Sequence, residues 1–348
     1  MNIAFIGVGN ISGIYLQNIT QRFTEMKIVG LCDLIPERAQ SAAEKYGIGK
    51  VYKDMHEAFA DPEVDIILNI TRPYQHYEVS RQALLAGKHV YCEKPLGASF
   101  EEGKALVQLA KEKGLMIGGA PDTFLGAGIQ TCKKLIDDGY IGRPVAASAF
   151  MLGPGPDSWH PDPFFFYQYG GGPMMDMGPY YITALTYLMG RIESVAGMTS
   201  KSFDERLFTC KEHFGKKGKV DVATHLTGSM RFESGAVGTI ITSFDVKKTT
   251  LPRIEIYGEL GTLIVPDPNT FGGPVRLYRP EDGEIREMPL LFEHSTNSRG
   301  LGLLEMARAV RDGKEDFITS SNRTFHVLDV LTSFQRSSDS GAVVYMEK

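Results

Sequence analysis

The sequence predicts an α/β fold in which a doubly wound parallel sheet is followed by a second domain with a large, mostly antiparallel sheet. Short apolar strands alternate with helical segments through the first part of the chain. A glycine-rich turn follows the first of these strands, and the later strands are joined by short turns. We therefore expect one domain at residues 1–120 and an α+β domain at residues 121–348.

Length and composition limit the class of protein. The 348 residues are enough for two domains that each bury a core. The formal net charge of −5 gives no general attraction to nucleic acid. The four cysteines form no C-x-x-C pair and no zinc-spaced cluster, so we expect no metal and reduced thiols in a cytoplasmic protein. The chain opens on a predicted strand and has no apolar run long enough for a bilayer, which predicts neither a signal peptide nor a membrane partner.

The individual elements follow from apolar periodicity and from capping residues. In the first domain the pattern predicts strands at Ile3–Ile6, Lys27–Cys32, Val64–Leu68, His89–Tyr91 and Leu115–Gly118, and helices at Ile11–Phe23, Pro36–Tyr46, Tyr74–Ala86 and Phe100–Lys113. In the second it predicts helices at Thr123–Asp138, Arg299–Asp312 and Asn322–Arg336, and strands at Val145–Met151, Ser194–Ser200, Val220–Phe232, Ala236–Phe244, Arg253–Tyr257, Gly261–Val265 and Val343–Met346.

The turn after the first strand matches the pattern G-x-G-x-x-G, with Ser12 where the third small residue stands. Gly7 allows the tight turn, and Gly9 has no Cβ, so a pyrophosphate can approach the backbone. The following helix offers free N–H groups to the phosphates. This turn predicts dinucleotide binding, and the residues expected to face the cofactor are Gly7, Gly9, Asn10 and Ile11.

An acidic residue ends the second strand. Asp33 lies 26 residues after Gly7, near the spacing at which a carboxylate binds the adenosine ribose hydroxyls. An acid there favours NAD, because it would repel the 2′-phosphate of NADP. Arg38 also lies close enough to contact the cofactor, and it keeps NADP open.

Further candidates follow the third and fourth long strands, where open α/β sheets bind ligands. Thr71, Pro73 and His76 come just after Val64–Leu68 and are candidate cofactor contacts, although His76 is equally consistent with a core or helix-start histidine. His89–Tyr91 runs into Glu93, Lys94 and Pro95, and we place Glu93 and Lys94 against the cofactor as well. A partly desolvated lysine at this position could give a proton to a carbonyl oxygen.

A loop at 153–172 in the second domain is rich in glycine, proline and aromatic residues. Trp159 and His160 belong to it, and both are candidate substrate contacts because sugars stack on aromatic faces. A packed loop with no substrate contact is the alternative.

Three segments together resemble the Gfo/Idh/MocA oxidoreductases: G-V-G-N-I-S, C-D-L-I-P-E-R-A and G-K-H-V-Y-C-E-K-P-L. The resemblance covers nearly the whole chain, and the E-K-P segment is its most specific part. It implies a nicotinamide-dependent enzyme that transfers a hydride to or from a sugar, polyol or related substrate. It also implies a homodimer or homotetramer built on one face of the second sheet.

The segment Gly171–Tyr180 is similar to the family's G-G-G-x-x-x-D-x-G-x-H, with Asp176 kept and Tyr180 in place of the histidine. Tyrosine titrates near pH 10 and histidine near 6.5, so a lysine ammonium is needed to lower the pKa of the phenol. The glucose–fructose oxidoreductase and dihydrodiol dehydrogenase branches are similar in having tyrosine here. We therefore expect Lys94 and Tyr180 to handle the proton, converging on one face of the nicotinamide.

Asp176 is expected to orient the substrate or Tyr180, since residues four apart on one helix share a face. An N-cap role for Asp176, and proton transfer by Lys94 alone or by His160, are the alternatives.

Many relatives carry an Asn and Arg pair near Gly119–Phe124, and this chain does not. Asp122 and His294 are candidate substrate contacts, as are Asn297 and Arg299, whereas His326 is expected to be structural. Two other functions stay open at this point: an NAD-dependent glycosidase that works by transient oxidation, and a non-catalytic dinucleotide sensor.

Overall fold

A computed structural model describes residues 1–347, which form two compact units. The first contains residues 1–122 and 298–328, and the second contains 123–297 and the residues from 329 onward. The domain boundary expected at residue 120 falls beside the observed one at residue 122. The second domain was expected to run unbroken from 121 to 348, whereas the structure assigns 298–328 to the first unit.

The first unit contains a six-stranded sheet in which every pairing is parallel. The strand order is β3-β2-β1-β4-β5-β6, which is the doubly wound dinucleotide-binding order. Its strands are β1 Asn2–Ile6, β2 Lys27–Cys32, β3 Lys50–Val51, β4 Ile66–Asn69, β5 His89–Cys92 and β6 Ile117–Gly119. The predicted doubly wound sheet is confirmed.

Capping chemistry fixes the ends of the helices in this unit. The helices are α1 Ser12–Gln21, α2 Pro36–Tyr46, α3 Met55–Ala60, α4 His76–Leu85 and α5 Phe100–Lys113. At the start of α5, Ser99 Oγ accepts from the Glu102 N–H and the Glu102 carboxylate accepts from the Ala98 N–H. Gly114 ends the helix in the left-handed conformation, at φ 66°. Both α2 and α5 therefore begin and end at the predicted residues.

The second unit contains a nine-stranded mixed sheet and a separate two-stranded hairpin. The large sheet has the order β16-β15-β14-β13-β7-β12-β11-β8-β17 and is antiparallel except where β7 pairs with β12. Its strands are β7 Pro144–Leu152, β8 Ile192–Ser200, β11 His225–Phe232, β12 Val237–Ser243, β13 Ile254–Gly258, β14 Thr262–Val265, β15 Val275–Tyr278, β16 Ile285–Met288 and β17 Val344–Tyr345. The hairpin consists of β9 Glu205–Leu207 and β10 Lys217–Lys219. The helices that lie between these strands in sequence are α6 Ala127–Asp137, α7 Pro173–Asp176 and α8 Gly178–Met189.

The chain returns to the first unit through α9, Leu301–Arg311, and the first residues of α10, Ser321–Ser340. Gly118, on β6, forms an antiparallel bridge with Ser320. The N–H of Gly119 donates to the Thr319 carbonyl at 3.0 Å. This edge pairing joins residues about two hundred positions apart, which explains why no local pattern assigned 298–328 to the first unit.

Several short elements went unpredicted, among them β3, α3, β9, β10, β15 and β16. β3 has two residues and α3 six, and β16 is largely exposed on both faces, so neither length nor apolar alternation marks them. Within the described residues, no helix is both long and apolar enough to cross a bilayer.

Candidate active site

The glycine turn has the geometry that a pyrophosphate requires. Gly7 lies at φ 101°, and a Cβ there would stand 2.7 Å from the Ile70 carbonyl oxygen, so only glycine fits. A Cβ on Gly9 would meet nothing within 4 Å, which leaves open space against the backbone. Ser12 closes the turn, because its Oγ donates to the Gly9 carbonyl at 2.7 Å. Asn10 and Ile11 lie between these residues, and the turn as a whole fits a dinucleotide phosphate.

Asp33 joins this turn to the end of β2. Its Oδ2 accepts from the Val8 N–H at 2.6 Å, and its Oδ1 accepts from the Ile35 N–H at 2.8 Å. Each carboxylate oxygen retains a second lone pair, so the side chain can still accept from ribose hydroxyls. Arg38 is exposed in the first turn of α2. These positions fit NAD.

A network of buried side chains holds the loop after β4. Asn69 is fully buried, and its Oδ1 accepts from the Thr71 hydroxyl at 2.7 Å. His76 is buried as well, with Nδ1 at 2.7 Å from the Pro95 carbonyl oxygen and Nε2 at 3.2 Å from that of Thr71. Burial lowers the pKa of His76, so the neutral ring is favoured, and the shorter distance favours the hydrogen on Nδ1. His76 thus connects the ends of β4 and β5. Contact of Thr71, Pro73 or His76 with the cofactor stays a prediction.

The E-K-P turn follows β5 on the same edge of the sheet. Glu93 is buried, and its Oε1 accepts from the Tyr15 hydroxyl at 2.7 Å. Its Oε2 accepts from the backbone N–H of Lys94 at 3.0 Å. Lys94 is half-buried, which is compatible with the predicted proton role. Tyr15 was missed, because an aromatic residue on an amphipathic helix gives no signal beyond core packing.

Asp122 lies among other buried groups in the first unit and is 1% exposed. Its Oδ2 accepts from the N–H groups of Gly300 and Gly302, at 2.8 and 3.1 Å, at the start of α9. Burial raises the pKa of this carboxyl to about 6. These contacts give Asp122 a structural role, and its contact with a substrate stays a prediction.

The second unit carries Asp176 and Tyr180 on two helices instead of one. α7 ends at Asp176, α8 begins at Gly178, and Met177 caps both. Pro179 has no N–H to continue the helical ladder, which is why the chain breaks here. The prediction that Asp176 and Tyr180 share a face of one helix is therefore wrong. Asp176 is half-buried and Tyr180 is buried, and their catalytic roles stay predictions.

The aromatic loop presents two exposed rings, Trp159 and Tyr169. Trp159 is 63% exposed, and its ring lies edge-on to that of His160, with centroids 5.4 Å apart. His160 is buried, and its Nδ1 accepts from the Asp162 N–H at 3.0 Å. Phe166, from the same loop, belongs to a buried cluster with Phe208 and Phe244. The loop is thus partly core, with Trp159 and Tyr169 exposed, and contact of Trp159 or His160 with a substrate stays a prediction.

A buried ion network, also missed, anchors this loop. Arg206 is buried and donates to Asp157 Oδ2 at 2.8 Å and to Asp245 Oδ1 at 2.6 Å. Its guanidinium also donates to the Pro154 carbonyl at 2.7 Å, and Tyr167 donates to the Asp157 carboxylate. The sequence signal was an arginine within a run of charged residues, which reads as solvated surface.

The remaining candidates lie in the segment 294–326. His294 is half-buried at φ 65°, a conformation that costs energy in a residue other than glycine. Asn297 is exposed, Arg299 is half-buried, and the Arg299 carbonyl accepts from the Asn18 amide at 2.8 Å. His326 is buried on α10, as expected of a structural residue. The described residues contain no group of three or more His, Cys, Asp or Glu that could hold a metal ion.

The parallel sheet, the glycine turn and the acid after β2 together define a dinucleotide-binding oxidoreductase. Residues 1–119 match the family described as oxidoreductases with an NAD-binding Rossmann fold, and residues 129–264 match the GFO/IDH/MocA C-terminal domain. The chain belongs to the Gfo/Idh/MocA family of NAD-binding oxidoreductases, as its motifs predicted.

Named relatives share most of the chain. The sequence is 28% identical over 264 residues to a myo-inositol 2-dehydrogenase of Thermotoga maritima, covering 76% of this chain and 74% of that protein. It is 24% identical over 353 residues to a D-glucoside 3-dehydrogenase of Escherichia coli, covering 99% and 97%. A levoglucosan dehydrogenase solved with NADH and levoglucosan has a TM-score of 0.84 at 22% identity, with full coverage of both chains. At that identity the last match supports the fold.

Proposed function

We propose that this protein transfers a hydride between NAD and a hydroxyl-bearing or carbonyl carbon of a sugar or polyol. The observation that carries the proposal is the E-K-P turn. It places Lys94 at the carboxyl end of β5, on the sheet edge that also carries the glycine turn and Asp33. The inositol and glucoside dehydrogenases among its relatives support the substrate class.

The residues of the first unit would hold the cofactor. The turn Gly7–Ile11 presents backbone to the pyrophosphate, and Asp33 accepts from the ribose hydroxyls and disfavours a 2′-phosphate. NAD, when bound, supplies the hydride acceptor or donor at its nicotinamide ring.

The proton is assigned to Lys94 and Tyr180. In the oxidation direction the phenolate of Tyr180 accepts the hydroxyl proton and becomes the phenol, and in the reduction direction the phenol returns that proton to the carbonyl oxygen. The ammonium of Lys94 stabilises the developing negative charge on the substrate oxygen. Asp176 orients the substrate or the phenol, and Trp159 offers a flat apolar face to a sugar ring.

The test is turnover of a panel of inositols, aldoses, glycosides and polyols with NAD and NADP, followed by NADH absorbance. We expect Lys94→Ala and Tyr180→Phe each to lower kcat by about 10²–10⁴-fold. An active wild type whose Lys94→Ala variant kept full turnover would contradict the assignment of Lys94. Release of a glycosidic leaving group without net NADH would instead assign a transient oxidation.

We also propose a homodimer or homotetramer built on the exposed face of the nine-stranded sheet. Met198 is 75% exposed, and the strand register puts it on the same face as the exposed Val237 and Tyr278. Exposed apolar residues on one face of a sheet are typical of a contact surface. Light scattering should give a multiple of the 38.4 kDa chain mass, and Val237→Lys should lower it. A monomer at micromolar concentration would refute this.

A cytoplasmic location is proposed as well. Its support is that all four cysteines, Cys32, Cys92, Cys132 and Cys210, are free and buried. Fractionation of the expressing cells tests it, and recovery from an oxidising compartment would contradict it.

A further inference from the structure

We propose that Tyr15 is a positioning residue for Lys94, acting through the Glu93 carboxylate. This inference rests on the proposed function, in which Lys94 takes part in proton transfer. It is carried by a continuous pair of hydrogen bonds within the first unit. The Tyr15 hydroxyl donates to one oxygen of Glu93, and the other oxygen accepts from the backbone N–H of Lys94.

The geometry leaves Glu93 little freedom. Its carboxylate is buried between a phenol at 2.7 Å and a backbone amide at 3.0 Å, and the two donors engage different oxygens. A carboxylate held at both oxygens cannot rotate without losing one bond. Since the amide belongs to Lys94, the orientation of the carboxylate fixes the peptide from which the lysine side chain extends.

The phenol is a permanent donor at this position. Tyr15 is fully buried, and burial, followed by the charges of Glu93 and Asp122, raises its pKa well above that of an ordinary tyrosine. It therefore keeps its proton wherever the enzyme is folded. Its ring packs beside Gly300, where a Cβ would lie 3.6 Å away, so the ring itself is also held.

Tyr15 also connects the E-K-P turn to the helix that follows the glycine turn. It lies on α1, the helix whose N-terminus follows the glycine turn. The E-K-P turn is therefore hydrogen-bonded to the same helix that would face the pyrophosphate. A ligand-contact residue held by a neighbouring rigid element is the arrangement that precise catalytic positioning requires.

The test compares Tyr15→Phe with Tyr52→Phe. Tyr52 is a matched control, because it is buried in the same unit and donates to the Asp61 carboxylate at 2.8 Å instead of to a residue of the E-K-P turn. We expect Tyr15→Phe to lower kcat about tenfold, with the KM for the sugar and the Kd for NADH within about twofold of wild type. Tyr52→Phe should leave kcat unchanged.

A second readout does not need turnover. The rate at which the Lys94 amine is acylated by a water-soluble ester, measured by mass spectrometry, should rise about threefold in Tyr15→Phe and not in Tyr52→Phe, because the turn opens more often. Glu93→Gln combined with Tyr15→Phe should show no further loss beyond the worse single variant. Should Tyr15→Phe fail to fold, Glu93→Gln is compared with Asp61→Asn in the same two assays.

The outcomes separate the two proposals. If no substrate in the panel turns over, the proposed function fails while the acylation rates still decide the role of Tyr15. If the wild type is active, and Tyr15→Phe matches it in both kcat and acylation of Lys94, the positioning role is overturned while the proposed function stands.

Discussion

Asp122 gives the structure a pH-dependent signature that can be measured. Its carboxyl is 1% exposed. Burial raises its pKa from 3.8 to about 6, the Gly302 and Gly300 amides and the charge of Arg299 oppose the rise, and the charge of Glu93 adds to it. The phenols of Tyr15 and Tyr91 also face the carboxyl, and both keep their protons because burial raises their pKa values.

The sign of the effect follows from proton linkage. The folded-state pKa lies above the unfolded one, so between about pH 4 and 6 the native state binds more protons than the unfolded chain. The contribution of Asp122 to the free energy of unfolding therefore falls as the pH rises through that window, and it is constant above it. The difference between 3.8 and about 6 corresponds to about 3 kcal/mol at most.

The perturbation is Asp122→Asn, which stays neutral at every pH. We expect the free energy of unfolding of the wild type, minus that of the variant, to fall by about 2 kcal/mol between about pH 4.5 and 7. Urea unfolding followed by circular dichroism at four pH values measures this difference.

Asp61→Asn is the control, because hydrogen bonding from Lys50 lowers the pKa of Asp61 to about 2, below the window. Its difference from the wild type should stay flat. A flat difference for Asp122→Asn would refute the assignment of a raised pKa to this carboxyl.

Further variants separate binding from stability. Gly7→Ala should destabilise the protein by about 2–4 kcal/mol in calorimetry, because the Gly7 backbone is left-handed and a Cβ there would meet a carbonyl. Gly9→Ala should unfold like the wild type and bind NADH at least about tenfold more weakly in a fluorescence titration. Asp33→Ala should narrow the preference for NADH over NADPH in the same titration, and an unchanged ratio would contradict the role of the carboxylate. Arg206→Met should cost about 3–5 kcal/mol in urea unfolding, because two buried carboxylates lose their cation; a loss below about 1 kcal/mol would mean that the network is not needed.

Local chemistry was sufficient to predict much of the fold. Pro36 and the left-handed Gly47 mark the ends of α2, and the Ser99 cap and Gly114 mark those of α5. The doubly wound sheet followed because its buried strands are apolar runs between such helices. β15 and β16 were not predicted, because each has only four residues and β16 shows no apolar alternation.

The candidate site likewise contains residues that local sequence patterns predict and contacts that they do not. Gly7, Gly9 and Asp33 were predicted because they act within one strand, turn and strand unit. The contacts that hold the site join distant residues: Tyr15 and Glu93 are 78 positions apart, and Asp122 and Gly302 are 180 apart. No spacing rule reaches so far. The helix break at Met177 was missed for a different reason: proline is common in the first turn of a helix, so Pro179 alone does not mark a break.

The contributions of His76 and Asp122 to the free energy of unfolding change in opposite directions with pH, and the interpretation of the pH experiment depends on this. Burial lowers the pKa of His76, so the native state binds fewer protons than the unfolded chain as the pH falls below about 6.5. Its contribution to stability is therefore lost on acidification, in the range where the contribution of Asp122 increases. The pH dependence of the stability of the wild type is therefore the sum of two opposing contributions. Only the difference between the wild type and a single variant isolates either group. Moreover, His76 contacts the Pro95 carbonyl and Glu93 accepts from the Lys94 amide, so both side chains hold the E-K-P turn. A variant at His76 should therefore alter the position of Lys94 as well as the pH dependence of stability.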